Sequence, residues 1–368
     1  MKIGFDAKRL FLNNTGLGNY SRTLVKNLMQ FYPEHQYFLY TPRMVENDET
    51  EYFINSDKCI IREGPKWRSA LWRTSSIIKD IVKDDLDIFH GLSHEIPIGL
   101  KHRNVKTCVT FHDLIFELYP ELFNSVDRLS YKLKYRYACR NADAIISISQ
   151  STADDLSSLW KVDPKKINIV YQSANLAFFD TPLPDHSNRK HFLYVGSTIE
   201  RKRLLDAIHA YHILWKKGVR VPFRVIGNGG SYLRKVEQEI RDLNLEKYIE
   251  FVGQVSNKGL IKFYEEAIAL IYPSIYEGFG IPIIEAMLRK TPVITSNISS
   301  MPEAGGPDVY YQNPGDIKSM ALNMEACIQA DAGLKQRCKQ ALLYANSNFS
   351  PEKTAQALIE TYRKILYS

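Results

Sequence analysis

The sequence lacks the features that mark secreted, zinc-bound or membrane-spanning chains. Its five cysteines, at positions 59, 108, 139, 327 and 338, are odd in number and form no C-x-x-C pair. That argues against a disulfide framework or a zinc spacing and fits reduced thiols in the cytoplasm. No run approaches the ~18 uninterrupted apolar residues of a membrane span. The start, MKIGFDAKRL, has no long apolar core, so no secretory leader is expected. The third glycine of a G-x-G-x-x-G dinucleotide fingerprint is missing, because Gly16-Leu17-Gly18-Asn19-Tyr20 runs on into Ser21, Arg22 and Thr23. Internal repeats and low-complexity runs are absent.

What remains is a chain of 368 residues, 45% hydrophobic and 24% charged. That length favours two domains, each able to bury a core without staples. The net charge is +7. Most of the excess lies in residues 186–368, which fits an anionic small ligand there. No nucleic-acid partner is expected.

The most informative stretch is 272–306, YPSIYEGFGIPIIEAMLRKTPVITSNISSMPEAGG. The apolar run Ile268–Tyr272 reads as a buried strand, ended by Pro273 and Ser274. A glycine loop, Glu277-Gly278-Phe279-Gly280, precedes a helical segment Pro282–Lys290, and Pro292–Thr295 reads as the next strand. Such strand–loop–helix–strand units bind ligands at the strand's carboxyl end. The loop glycines let amides approach a ligand, and the helix start adds a partial positive charge. Glu277 and Glu285, eight positions apart, supply carboxylates. Amides for an anionic end and carboxylates for hydroxyls suit a nucleotide-sugar.

Residues 277–286, E-G-F-G-x-P-x-x-E-A, resemble the E-x7-E signature of the family 4 retaining glycosyltransferases, and the resemblance runs from residue 1 to about 365. It implies the GT-B fold: α/β, two Rossmann-like doubly wound parallel-sheet domains facing a cleft. The expected domains are 1–185 on the acceptor side, 186–350 for the nucleotide-sugar, and a helix at 351–368 crossing back to the first. The resemblance places Glu285 on ribose hydroxyls and Glu277 on the donor sugar, with Gly278, Phe279, Gly280 and Ile281 beside phosphate and sugar.

Other segments carry the same resemblance. Asn13–Tyr20 reads as a turn-rich loop before a helix at Ser21–Phe31, and its Gly16 and Gly18 match a loop lying near the donor diphosphate. FHDLIFELYPE resembles the family's V-H-D-L stretch and places His112 on the donor sugar. Val195-Gly196-Ser197 followed by Arg201-Lys202 resembles V-G-x4-R-K, whose cations hold the diphosphate. Arg203 stands where the family usually has Asn or Gly. Tyr248–Val255 matches the segment that sets Gly253, Gln254 and Val255 against the base.

Asp85-Leu86-Asp87 has the form of a divalent-metal D-x-D motif, but the family needs no metal and none is expected. Trp67–Val82 reads as a packed helix, with an interfacial membrane helix as the alternative. Leu129–Arg140 is rich in Tyr, Lys and Arg, and reads either as a solvated basic face or as a contact for anionic lipid headgroups. Polar, proline-bearing residues 180–189 mark the domain boundary.

The implied activity is transfer of a hexose from a nucleoside diphosphate sugar to an acceptor hydroxyl with retention, and without cofactor or metal. Mannosyltransferases of polysaccharide assembly make GDP-mannose the first donor expected. The acceptor is a glycan or lipid-linked glycan. The location is cytoplasmic, with peripheral contact at the inner face of the cell membrane as an open alternative. Two other readings remain: a GT-B nucleotide-sugar epimerase, and a non-catalytic sugar-nucleotide or glycan-binding partner.

Overall fold

The structure, a computed structural model, describes residues 1–65, 71–183 and 189–367. The chain divides into two compact units, Met1–Ser173 with Pro351–Ser368, and Ala174–Ser350. The boundary expected at 185/186 lies outside the described residues. The second unit claims chain upstream of it because Arg289, 1% exposed, gathers that chain. Its guanidinium donates to the carbonyls of Phe178, Thr181 and Pro182 at 3.3, 2.9 and 2.6 Å.

Both units are parallel sheets flanked by helices. The first contains β1 (Lys2–Asp6), β2 (Gln36–Thr41), β3 (Cys59–Glu63), β4 (Ile88–Gly91), β5 (Lys106–Phe111), β6 (Ala144–Ser147) and β7 (Ile167–Ile169), in the order β3-β2-β1-β4-β5-β6-β7. The second contains β8 (His191–Val195), β9 (Phe223–Ile226), β10 (Ile249–Gly253), β11 (Ala267–Tyr272), β12 (Val293–Ser296) and β13 (Tyr310–Gln312), in the order β10-β9-β8-β11-β12-β13. All the pairings are parallel. Strands covered on both faces need continuous apolar runs rather than alternation. β8 and β11 accordingly are buried at every position.

In each sheet the strand order reverses once, between β1 and β4 and between β8 and β11. Loops leaving neighbouring strands there diverge to opposite faces and open a crevice at the carboxyl ends. The last helix, Pro351–Tyr367, belongs to the first unit. Its Tyr362 hydroxyl lies 2.6 Å from His90 Nδ1, and Thr354 donates to the Tyr171 carbonyl at 3.1 Å.

Two local expectations are corrected. The helix expected from Ser21 begins at Gly16 and runs to Phe31. The Asn13 side chain causes this: its Oδ1 accepts the Thr15 amide at 2.9 Å and the Gly18 amide at 3.0 Å. Gly16 and Gly18 therefore sit in a first helical turn, not in a loop. The segment expected as one helix over Trp67–Val82 begins outside the described residues. From Trp72 it is a wide turn to Ser76, then a helix Ile78–Lys83. Asp85 and Asp87 hold the start of β1: Lys2 donates its Nζ to Asp85 at 3.0 Å and its amide to Asp87 at 2.7 Å. Among the described residues no group of three His, Cys, Asp or Glu could hold a metal ion.

The two glycines make opposite predictions. A Cβ at Gly18 would lie 1.7 Å from the Asn13 carbonyl oxygen, whereas one at Gly16 meets nothing within 4 Å. Gly18→Ala is expected to cost about 1–3 kcal/mol through backbone overpacking. Gly16→Ala should be neutral or stabilise by up to ~1 kcal/mol, since Ala favours helix. Urea midpoints of the two variants distinguish these effects.

Candidate functional site

In the second unit the crevice between β8 and β11 receives one loop from each strand. The β8 loop passes through Gly196 (φ 145°) and a short 3-10 turn, Glu200–Lys202. The β11 loop runs from Pro273 to Gly280 and enters the helix Ile281–Leu288, with Pro282 in its first turn. The Ile275 amide donates to the Arg201 carbonyl at 3.0 Å, joining the loops through their backbones.

Three charged side chains meet there. Glu277 Oε1 lies 2.9 Å from Lys202 Nζ and 3.1 Å from Arg201 Nη1, and accepts the Ser274 hydroxyl at 2.8 Å. Arg201 also donates to the Tyr276 carbonyl. Lys202 donates to the Tyr272 hydroxyl at 3.1 Å and lies 4.9 Å from that ring's centre. All three side chains are nearly buried. Burial alone would raise the Glu277 carboxyl, but Lys202 and Arg201 overcome it and hold the group at about 2. The cluster carries two cations and one anion, an excess of one positive charge.

Arg203, the third cation in the row, turns away from the cluster. It turns to φ 49° and pairs with Asp206 at 2.6 and 3.0 Å. Glu285 does not join the cluster. From its helix it accepts the Tyr264 hydroxyl at 2.8 Å. Burial raises its carboxyl to about 7, and Tyr264 only partly counters that.

Residues missed in the sequence shape the glycine loop. The Ser300 hydroxyl lies 2.8 and 2.7 Å from the carbonyls of Glu277 and Phe279, and Ser299 Oγ donates to the Glu277 carbonyl at 3.0 Å. With those carbonyls turned toward the serines, Gly280 reaches φ 122° and starts the helix. The run Ser296-Asn297-Ile298-Ser299-Ser300 was the available signal. Gly253, at φ 80°, closes β10, and an added Cβ there would meet nothing within 4 Å. It, Gln254 and Val255 leave the far edge strand, two strands away from β8. Ser197 is exposed, and its carbonyl accepts the Tyr194 hydroxyl at 3.2 Å.

In the first unit His112 follows β5 and is 4% exposed. Its Nε2 donates to the Leu92 carbonyl at 2.9 Å, which leaves Nδ1 unprotonated. Its amide donates to His94 Nε2 at 3.1 Å, and its ring meets Tyr20 edge-on at 4.6 Å. Burial, then the neighbouring His94 ring, lowers His112 to about 3, so it is neutral at physiological pH. His94 was missed in the sequence. It lies at φ 60°, stacked on Tyr135 at 4.4 Å.

Two family models match: residues 14–178 fit glycosyltransferase family 4, and residues 177–343 fit the glycosyl transferases of group 1. The chain belongs to the group 1, family 4 glycosyltransferases. It is 30% identical to the O-antigen chain mannosyltransferase RfbU of Salmonella typhimurium, over 61% of this chain and 60% of that relative. It is 26% identical to O-antigen chain mannosyltransferase B of Escherichia coli, over 99% of this chain and 100% of the relative. Several further matches are to mannosyltransferases that the chain spans to less than two fifths of their length. Among solved structures it resembles a sucrose-phosphate synthase from Thermosynechococcus elongatus (TM-score 0.78, 20% identity, covering 100% and 99% of the two chains). It also resembles a glycosyltransferase from Rickettsia africae (TM-score 0.76, 19% identity, covering 99% and 98%). The fold is GT-B.

In this glycosyltransferase one carboxylate, Glu277, pairs with both Arg201 and Lys202. Glu277→Gln leaves both nearly buried cations without it and is expected to destabilise the second unit by about 3 kcal/mol. Its carboxyl lies below the usual 4.5, so its stabilisation is present above about pH 4.5 and is lost as pH falls toward about 2. Calorimetric scans of wild type and variant should therefore differ at neutral pH and converge in acid.

Proposed function

We propose that the enzyme transfers a hexose, with mannose the first candidate, from a nucleoside diphosphate sugar to an acceptor hydroxyl during synthesis of a polysaccharide or lipopolysaccharide-type glycan. The observation that carries the reading is the meeting of Arg201, Lys202 and Glu277 at the carboxyl ends of β8 and β11, within 3.1 Å of one carboxylate oxygen. The mannose assignment, with GDP-mannose as donor, draws on the printed names of the O-antigen relatives. The acceptor is a glycan or a lipid-linked glycan, met on the cytoplasmic side.

Breaking the glycosidic bond to the diphosphate puts negative charge on the leaving oxygens and positive charge on the sugar ring. Arg201 and Lys202 take the first: one presents a fork of donors, the other a compact charge. The start of the helix Ile281–Leu288 adds its amides and partial positive charge. The cluster's excess of one positive charge draws the diphosphate in, and protein cations do the work that a divalent metal does elsewhere. Glu277 stays ionised and faces the sugar. Its carboxylate is already held by two cations and Ser274, so it positions the ring and stabilises positive charge rather than attacking carbon. Retention then follows from reaction on one face, with the leaving phosphate oxygen accepting the acceptor's proton. His112, neutral, offers Nδ1 as an acceptor for a sugar hydroxyl. Glu285 accepts ribose hydroxyls when ionised.

Thermal shift against UDP-, GDP- and ADP-sugars in metal-free buffer tests this on wild type and Glu285→Ala. A donor at 100 times its Kd adds about 2.7 kcal/mol. The expected result is a shift with GDP-mannose that the variant loses. No shift with any nucleotide overturns the reading. The Glu285 carboxyl ionises near 7. Donor affinity is accordingly expected to tighten as pH rises through about 7 in wild type and to stay flat in Glu285→Gln, by isothermal titration.

A further inference from the structure

The helix Ser125–Asn141 presents two different faces. Its tyrosines point inward: Tyr131 and Tyr135 pack with Phe116 and Phe111, and Tyr135 stacks on His94. Its aliphatic residues point outward. Val126, Leu129 and Leu133 are 78%, 60% and 64% exposed. At spacings of three and four they form one stripe along the helix. Beside Leu133 a cavity of about 220 Å³ opens, walled by Ile77, Phe89, Ile96, Pro97 and Ile98, with Arg73, Lys134, Asp6 and Glu95 also lining it. Ile98 is itself 52% exposed.

Cations flank the stripe. The helix carries Arg128, Lys132, Lys134, Arg136 and Arg140 against one acid, Asp127. The Tyr137 hydroxyl accepts the Gly99 amide at 2.8 Å, which brings the exposed Lys101 and Arg103 alongside. Glu117 pairs with Lys132 at 3.2 Å, and Glu95 with Arg73 at 2.6 Å. The acids nearby are thus mostly matched within the protein, with Lys134 also reaching Glu95 at 3.7 Å, and Arg140, Lys101 and Arg103 remain on the outside.

We propose that this face docks on an anionic lipid bilayer. Exposed leucines alone fit many partners. Leucines bordered by cations from two elements match a surface that is negative at the headgroups and apolar beneath. The stripe enters the headgroup–acyl boundary, the cations hold the headgroups, and the cavity beside Leu133 admits one acyl or isoprenoid chain. The proposal goes beyond the transfer reaction and does not depend on which sugar is donated.

Co-sedimentation of the full chain with vesicles tests it. Wild type is expected to pellet with vesicles of equal parts phosphatidylglycerol and phosphatidylcholine, to stay in solution with phosphatidylcholine alone, and to be released by salt. The double variant Leu129→Ser/Leu133→Ser should lose at least about tenfold in partitioning. Leu322→Ser, an equally superficial leucine in the second unit at 63% exposed, should lose nothing. In a second measurement, the emission of Leu133→Trp should shift to the blue on adding the anionic vesicles. Wild type remaining in the supernatant, or a double variant that pellets as wild type does, overturns the proposal. So does a double variant that binds vesicles normally but loses self-association on size exclusion, since a second copy then covers the stripe.

Discussion

Two cations and one carboxylate, nearly buried at the joint of β8 and β11, are the constraint around which the second unit is arranged. Taking such charges from water is costly, and only close mutual geometry repays it. Glu277 lies within 3.1 Å of both cations and also accepts Ser274. That requirement explains the local backbone. Arg201 and Lys202 must leave a turn short enough to send both side chains to one oxygen. The loop carrying Glu277 must fold back over β11, and Ser299 and Ser300 hold it there by its carbonyls. The left-handed Gly280 is the consequence, since the loop has to reverse before a helix can start.

The two carboxylates show how environment divides one residue type between two tasks. Glu277, faced by cations, is held at about 2, while Glu285, faced by a neutral Tyr264 hydroxyl, is raised to about 7. The first is a permanent charge and the second is poised to change. The first unit solves burial differently. His90, His94 and His112 are all lowered to about 3, first of all by burial, and remain neutral. Their hydrogen bonds run to the Tyr362 and Thr110 hydroxyls, the Leu92 carbonyl and the His112 amide. Neutral rings at a strand's carboxyl end can donate and accept hydrogen bonds without adding charge there.

Most strands were legible because doubly covered parallel strands must be unbroken apolar runs, and few other segments are. The charged residues of the site were legible as types at the right spacing. Their convergence was not, since it depends on β8 and β11 becoming neighbours across some 70 residues of chain. The helix beginning at Gly16 was misread as a loop because glycine spacing carries no record of a side-chain cap, and here Asn13 moves the start upstream. Composition pointed to a boundary near 185, but Arg289, over a hundred residues away, binds the chain from Phe178 to Pro182 into the second unit, which begins at Ala174.

The helix Ser125–Asn141 shows why periodicity alone cannot say which face turns inward. Tyr131 and Tyr135 are spaced for one face, and Val126, Leu129 and Leu133 for another. Propensity favours neither. The decision lies in the partners: Phe111, Phe116, Trp160 and the His94 ring form an aromatic wall that offers edge and face contacts to tyrosines. Such pairs contribute beyond the area they bury. Once the wall has taken the tyrosines, the aliphatic stripe is left to water, where each exposed leucine is a standing cost of about 1.5–3 kcal/mol relative to burial. The arginines and lysines on either side keep that stripe soluble, and they also determine the sign of the surface it can meet.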